Sequence, residues 1–87
     1  MNRIETIQAR LNILEPVSVK ITDESHLHAG HAGARAGGGH YLLHIVSPMF
    51  SGKNTVTRHR MIYSALGEMM EREIHALTLE AYSPTEI

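Results

Sequence analysis

The chain has 87 residues, 43% of them hydrophobic, with a formal net charge of -1 and no cysteine. That is one domain with a single small core, too apolar to stay disordered. The missing cysteine excludes a disulfide framework, a cysteine nucleophile and any thiolate ligand supplied by this chain. No apolar run approaches the roughly 18 residues of a membrane span. The opening MNRIETIQARLNIL mixes charged with apolar residues, unlike a signal peptide, so a cytoplasmic protein is expected.

Ile4, Ile7, Leu11 and Leu14 recur at steps of three and four and predict a helix. Asn2 suits its cap, with Glu5 three residues on in capping-box spacing, and Pro16 stops it near Glu15. In VSVKITDE, Val17, Val19 and Ile21 alternate with Ser18, Lys20 and Thr22, predicting a half-buried strand. Residues from about 24 to 39, SHLHAGHAGARAGGG in the main, are glycine-rich without a period and predict a long flexible loop. HYLLHIVS predicts a second, central strand ended by Pro48.

MFSGKNT predicts a turn, with Thr55 as cap of the next helix. On that helix Val56, His59, Ile62, Tyr63, Leu66, Met69 and Met70 define the inner stripe, and Arg58 and Arg60 fall largely outside it. IHALTLEAY predicts a third strand, with His75, Leu77, Leu79 and Ala81 on one face and Ile74, Ala76, Thr78 and Glu80 on the other. The tail, 83–87, is expected to be loose or a short helical turn. The order α-β-β-α-β implies an α+β two-layer domain. An antiparallel first pair, a parallel second pair joined by a right-handed crossover, and helices on one face make a mixed three-stranded sheet. The other face stays partly wet.

The charge pattern is uneven. No acid lies between Glu24 and Glu68, yet six of the seven histidines do: His26, His28, His31, His40, His44 and His59. Arg35, Lys53, Arg58 and Arg60 share that stretch. Imidazole binds metal and gains charge near pH 6.5, so metal binding, anion binding and acid response all stay open. His26, His28 and His31, spaced H-x-H-x2-H, could wrap one metal ion or simply be solvated. His75 could be a hydrogen-bonded strand-end histidine or a fixed ligand at a sheet edge. His40 and His44 read as structural or interface residues; His59 reads as a packed helix histidine that could instead orient the turn around Gly52 or touch phosphate. Lys53, Arg58 and Arg60 form a compact basic cluster at a helix N-terminus, where phosphate binding is physically easy. A solvated basic face, or steering of an acidic partner, would account for it equally. Ser47, Ser51 and Ser64 lack a nucleophile context and no acid pair is evident, so no enzyme is expected.

FSGKNTVTRHRMIYSAL resembles the BolA-like protein signature: an aromatic, a glycine two positions later, then Arg-His-Arg opening an apolar helix. ESHLH resembles the family's loop entry and IHALTL its last strand. The likeness runs from about Ile4 to Tyr82. It implies a type II KH-like fold with a second short helix after the main one. It also implies pairing with a monothiol glutaredoxin around a [2Fe–2S] cluster, the glutaredoxin and glutathione bringing thiolates. The isolated chain is not expected to hold the cluster. Carried over, the strand ligand is His75 and the loop ligand His28, with His31 next. The loop departs from the family pattern in being glycine- and alanine-rich, and His31 is an addition. The alternative implied function is DNA-binding transcriptional regulation of stress response and cell shape through Lys53, Arg58 and Arg60. No membrane and no small-molecule substrate is expected.

Overall fold

The computed structural model describes residues 2–24 and 39–87, with His75 described by its backbone alone. Helix α1, Arg3–Leu11, is capped by Asn2, whose Oδ1 accepts from the Glu5 N–H at 2.8 Å. It tightens into a 3-10 turn, Asn12–Leu14, and ends at Glu15, which takes a left-handed φ of 49°. Ile7, Leu11 and Leu14 are buried and Ile4 packs beside them, as the periodicity predicts.

Strand β1, Ser18–Asp23, pairs antiparallel with β2, Gly39–Val46, and β2 pairs parallel with β3, Ile74–Tyr82. The order β1-β2-β3 makes β2 central, as expected. Val17 precedes the strand and is 64% exposed, because pairing of side chains begins at Ser18, so only Val19 and Ile21 pack inward.

Between β2 and β3 run a 3-10 turn, Pro48–Phe50, helix α2, Thr55–Leu66, and the short helix α3, Met69–Arg72. The helices cover one face. Tyr41, Leu43 and Ile45 from β2 meet Ile7, Leu11, Phe50, Ile62, Leu66, Met69 and Ile74 in one core. The opposite face carries half-buried His40, Leu42 and His44 beside exposed Lys20, Thr78 and Glu80. There the His44 ring lies 5.4 Å from the Tyr82 ring, centroid to centroid.

The inner stripe of α2 differs from the predicted one. Val56 and Tyr63 are exposed, at 58% and 41%, and Met61, Ile62, Ala65 and Leu66 face the core. The helix cap is Asn54, not Thr55: Asn54 Oδ1 accepts from the Thr57 N–H at 2.8 Å. Gly67 ends it at φ 56°, ψ −127°, a conformation that L side chains rarely adopt, and lets the chain turn into α3.

The tail is not loose. Ser83 caps a 3-10 turn, Pro84–Glu86, in a full capping box, and Glu86 is tied back to α2. A charged acid reaching a half-buried arginine fixes a segment too short to fix itself.

Candidate functional site

The two regions singled out by sequence lie at opposite ends of β3. At its start, Gly39 pairs with Ile74 and His40 with Ala76, so the register shifts by one residue. His75 is the residue of β3 left without a register partner. The shift breaks the simple alternation: Ile74 is buried at 3% exposure in the same core that Leu77, Leu79 and Ala81 pack against. Ile74 and Leu77 therefore do not belong to opposite faces, contrary to the period-two reading. Bulges of this kind re-aim side chains and occur next to functional sites.

Gly39 makes the entry to β2 possible. A Cβ there would lie 2.5 Å from the Tyr41 ring, which is itself buried. The Gly39 N–H donates to the Glu73 carbonyl at 3.0 Å, and the Glu24 N–H donates to the His40 carbonyl at 2.8 Å. The segment between Glu24 and Gly39 thus leaves and returns at the start of β3. Glu24 also sets a carboxylate oxygen 3.9 Å from His40 Nε2, an ion pair when the imidazole is protonated. His28 and His31 belong to residues 25–38, outside the described part. Among the described residues no three His, Asp or Glu side chains converge as a metal site.

At the other end of β3 the basic cluster divides. Arg58 is 12% exposed and faces inward, not outward as its place beside the predicted stripe suggested. Its Nε donates to the Lys53 carbonyl at 2.9 Å and Nη1 to the Ala81 carbonyl at 3.1 Å. The fork also closes on the Glu86 carboxylate, at 2.6 and 3.2 Å. Its carbon lies 6.0 Å from the Phe50 ring centroid. That arginine and the Ser83 N–H lower the Glu86 pKa from the usual 4.5 to about 2. Arg58 therefore joins three parts of the chain: the F-S-G turn, the end of β3 and the tail. Lys53 and Arg60 remain exposed. The clamp escaped the sequence reading because its partners lie 23 and 28 residues away.

Ser47 is fully buried; its hydroxyl donates to the Leu14 carbonyl and accepts from the Met49 N–H. It joins α1 to the turn after β2. His59 is half-buried on α2.

An α-β-β-α-α-β chain with a mixed sheet, helices on one face and an internally bonded arginine opening the main helix defines a class of small α+β domain. Residues 11–86 match the family profile described as BolA-like protein, and the chain belongs to that family. Its structure matches the BolA domain of SufE1 from Arabidopsis thaliana at a TM-score of 0.86 and 39% identity, covering 100% of this chain and 98% of that one. BolA1 from the same plant matches at 0.85 and 38%, covering 100% and 97%. The DNA-binding transcriptional regulator BolA of Escherichia coli (strain K12) is 37% identical over 83 residues, 94% of this chain and 76% of that protein. The chain spans 21% of the Arabidopsis SufE-like protein 1, at 42% identity, and 56% of Protein BOLA1, at 39%. No described helix is long and apolar enough to cross a membrane.

Proposed function

We propose that this BolA-like protein is a non-enzymatic partner that supplies histidines to a [2Fe–2S] cluster shared with a monothiol glutaredoxin and glutathione. One observation carries the reading. His75 stands in a register shift at the start of β3, and both ends of the segment bearing His28 and His31 are bonded to that same sheet end. His28 is four residues from Glu24, a reach of up to about 14 Å along an extended chain. His31 is eight residues from Gly39.

The donor set fits half a cluster. Imidazole is a proper ligand for one iron, and a chain without cysteine leaves thiolates to the partner. His75 and His28 would hold the cluster, with His31 the alternative loop donor. When bound, such a cluster supplies one-electron chemistry at a potential raised by the neutral ligands. The chain's own part is to fix one imidazole on rigid backbone and bring a second from the tethered segment. Because imidazole must be deprotonated to ligate, acid should release the cluster.

The test is visible absorption and circular dichroism after mixing the chain with [2Fe–2S]-loaded monothiol glutaredoxin and glutathione. A changed cluster spectrum is expected, reverting in His75→Ala and His75→Asn while far-UV dichroism shows both variants folded. An unchanged heterocomplex spectrum in folded His75 variants would overturn the ligand assignment.

The second reading is DNA binding, favoured by the names of bacterial relatives such as the E. coli regulator of transcription. Lys53 and Arg60 are the residues of the cluster free to meet phosphate. Two contacts give a shallow counterion slope, so binding would be weak at physiological salt. The Lys53→Ala/Arg60→Ala pair should flatten that slope; no change in slope would end this reading.

A further inference from the structure

A groove of about 440 Å³ lies between α2 and the turns that follow α1 and β2. Its apolar walls are Ile13 and Leu14 from the turn after α1, Met49 from the turn after β2, and Met61 and Ala65 from α2. Thr57, Arg60 and Ser64 add two hydroxyls and one guanidinium, the single ionisable group of the lining. Ile13 is 70% exposed and Met49 40%, so the rim holds bulky apolar side chains in water. No hydrogen bond or ion pair engages Arg60 among the described residues, in contrast to Arg58.

We propose that this groove binds a small aliphatic monocarboxylate. The volume lies within the ~300–1,000 Å³ typical of small-molecule sites, and an apolar lining with a few placed polar groups is their usual chemistry. The charge on offer is a lone exposed arginine, which pairs with a carboxylate in a fork that no apolar neutral ligand uses. A protein partner or second copy fits less well. A stable protein interface takes roughly 20–30 residues a side, and this groove runs along only about 12 Å of helix between Thr57 and Ala65. Ile13 and Met49 would clasp the alkyl chain, Met49 adapting its shape to it. Thr57 and Ser64, one turn to either side of Arg60, would donate their hydroxyls to the carboxylate oxygens.

Titration of the uniformly 15N-labelled chain with octanoate, below its micelle concentration, tests this by amide chemical shifts. Saturable shifts are expected at Ile13, Leu14, Met49, Met61 and Ala65. Arg60→Glu should weaken binding about tenfold, the scale of one charged hydrogen bond, and Arg72→Glu on α3 should leave it unchanged. Absent or non-saturating shifts overturn the proposal. So does equal binding of octylamine, which would make the groove merely apolar. If dilution alone moves the same amides, a second copy covers the groove; if N-acetyl-Leu-Leu binds more tightly than octanoate, the groove takes peptide ends. Either result overturns the small-molecule reading. None of these outcomes depends on the cluster experiment, which needs neither Arg60 nor the groove.

Discussion

Strand β3 begins and ends in contrasting ways. Its last residues are bound from every side: the Ala81 carbonyl accepts from Arg58, the Ser83 N–H donates to Glu86, and Glu86 closes back on Arg58. Arg58, Ser83 and Glu86 are bonded to one another or to backbone, and together they hold three chain segments. Its first residues are set by the buried Ile74 side chain and by backbone bonds. Gly39 donates to the Glu73 carbonyl, the register slips at His75, and the histidine-bearing segment leaves and returns beside it. At the basic end Arg58 is a clamp, while Lys53 and Arg60 stay exposed. At the histidine end the described contacts are those of the backbone and the His40–Glu24 pair.

The largest effect should come from breaking the clamp. Arg58→Met keeps apolar contact with Phe50 but strands the Lys53 and Ala81 carbonyls and the Glu86 carboxylate. Bonds to a charged group are worth about 1.5–3 kcal/mol, and a loss near the upper figure is expected in urea unfolding. Arg58→Lys should recover little, because an ammonium cannot make the fork. If Arg58→Met kept full stability and lost only DNA affinity, the residue would be a ligand contact and the contrast between the ends would collapse.

At the other end, Gly39→Ala should cost about 1–3 kcal/mol, the range for overpacking a core. The new methyl must displace the Tyr41 ring, and the strand entry beside His75 moves with it. Its second signature should be a weakened glutaredoxin-dependent cluster spectrum at temperatures where the variant is still folded. A variant that loses stability yet binds the cluster normally would show that strand entry and ligand position are uncoupled.

Much of this fold can be read from period and punctuation. The three- and four-residue steps from Ile4 to Leu14 define α1, alternation defines β1, and a doubly apolar run defines β2 as central. What escapes is what depends on a distant partner. The register shift exists only relative to β2, so His75 cannot be placed on a face from β3 alone. Arg58 lies beside the expected inner stripe of α2, and only the docked tail makes it internal. Helix α3 has four residues, too few to leave a period, and was anticipated from family resemblance. The histidine end was legible as residue types and half legible as position, because His28 and His31 fall outside the described residues.

The cap of α2 is Asn54, one residue before the Thr55 expected from sequence. Asn54→Ala should cost about 1 kcal/mol of stability and Thr55→Ala little, since the bond to the Thr57 N–H comes from Asn54. Equal losses would return the cap to Thr55.

The smallest change expected at neutral pH is Glu86→Gln, because an amide oxygen can still accept from Arg58 and from the Ser83 N–H. What it removes is charge, and that loss has a pH signature. The folded pKa of Glu86 is depressed, from 4.5 to about 2, by the Arg58 hydrogen bonds first and the Ser83 N–H second. A depressed carboxylate stabilises the fold above its unfolded pKa and gives that up as pH falls through the folded value. The gap in stability between the wild-type chain and Glu86→Gln should therefore be constant from neutrality down to about pH 5. It should narrow below 4.5 and vanish near pH 2. Thermal melts across that range decide it. A gap unchanged down to pH 2 would show that the Glu86 charge does not stabilise the fold.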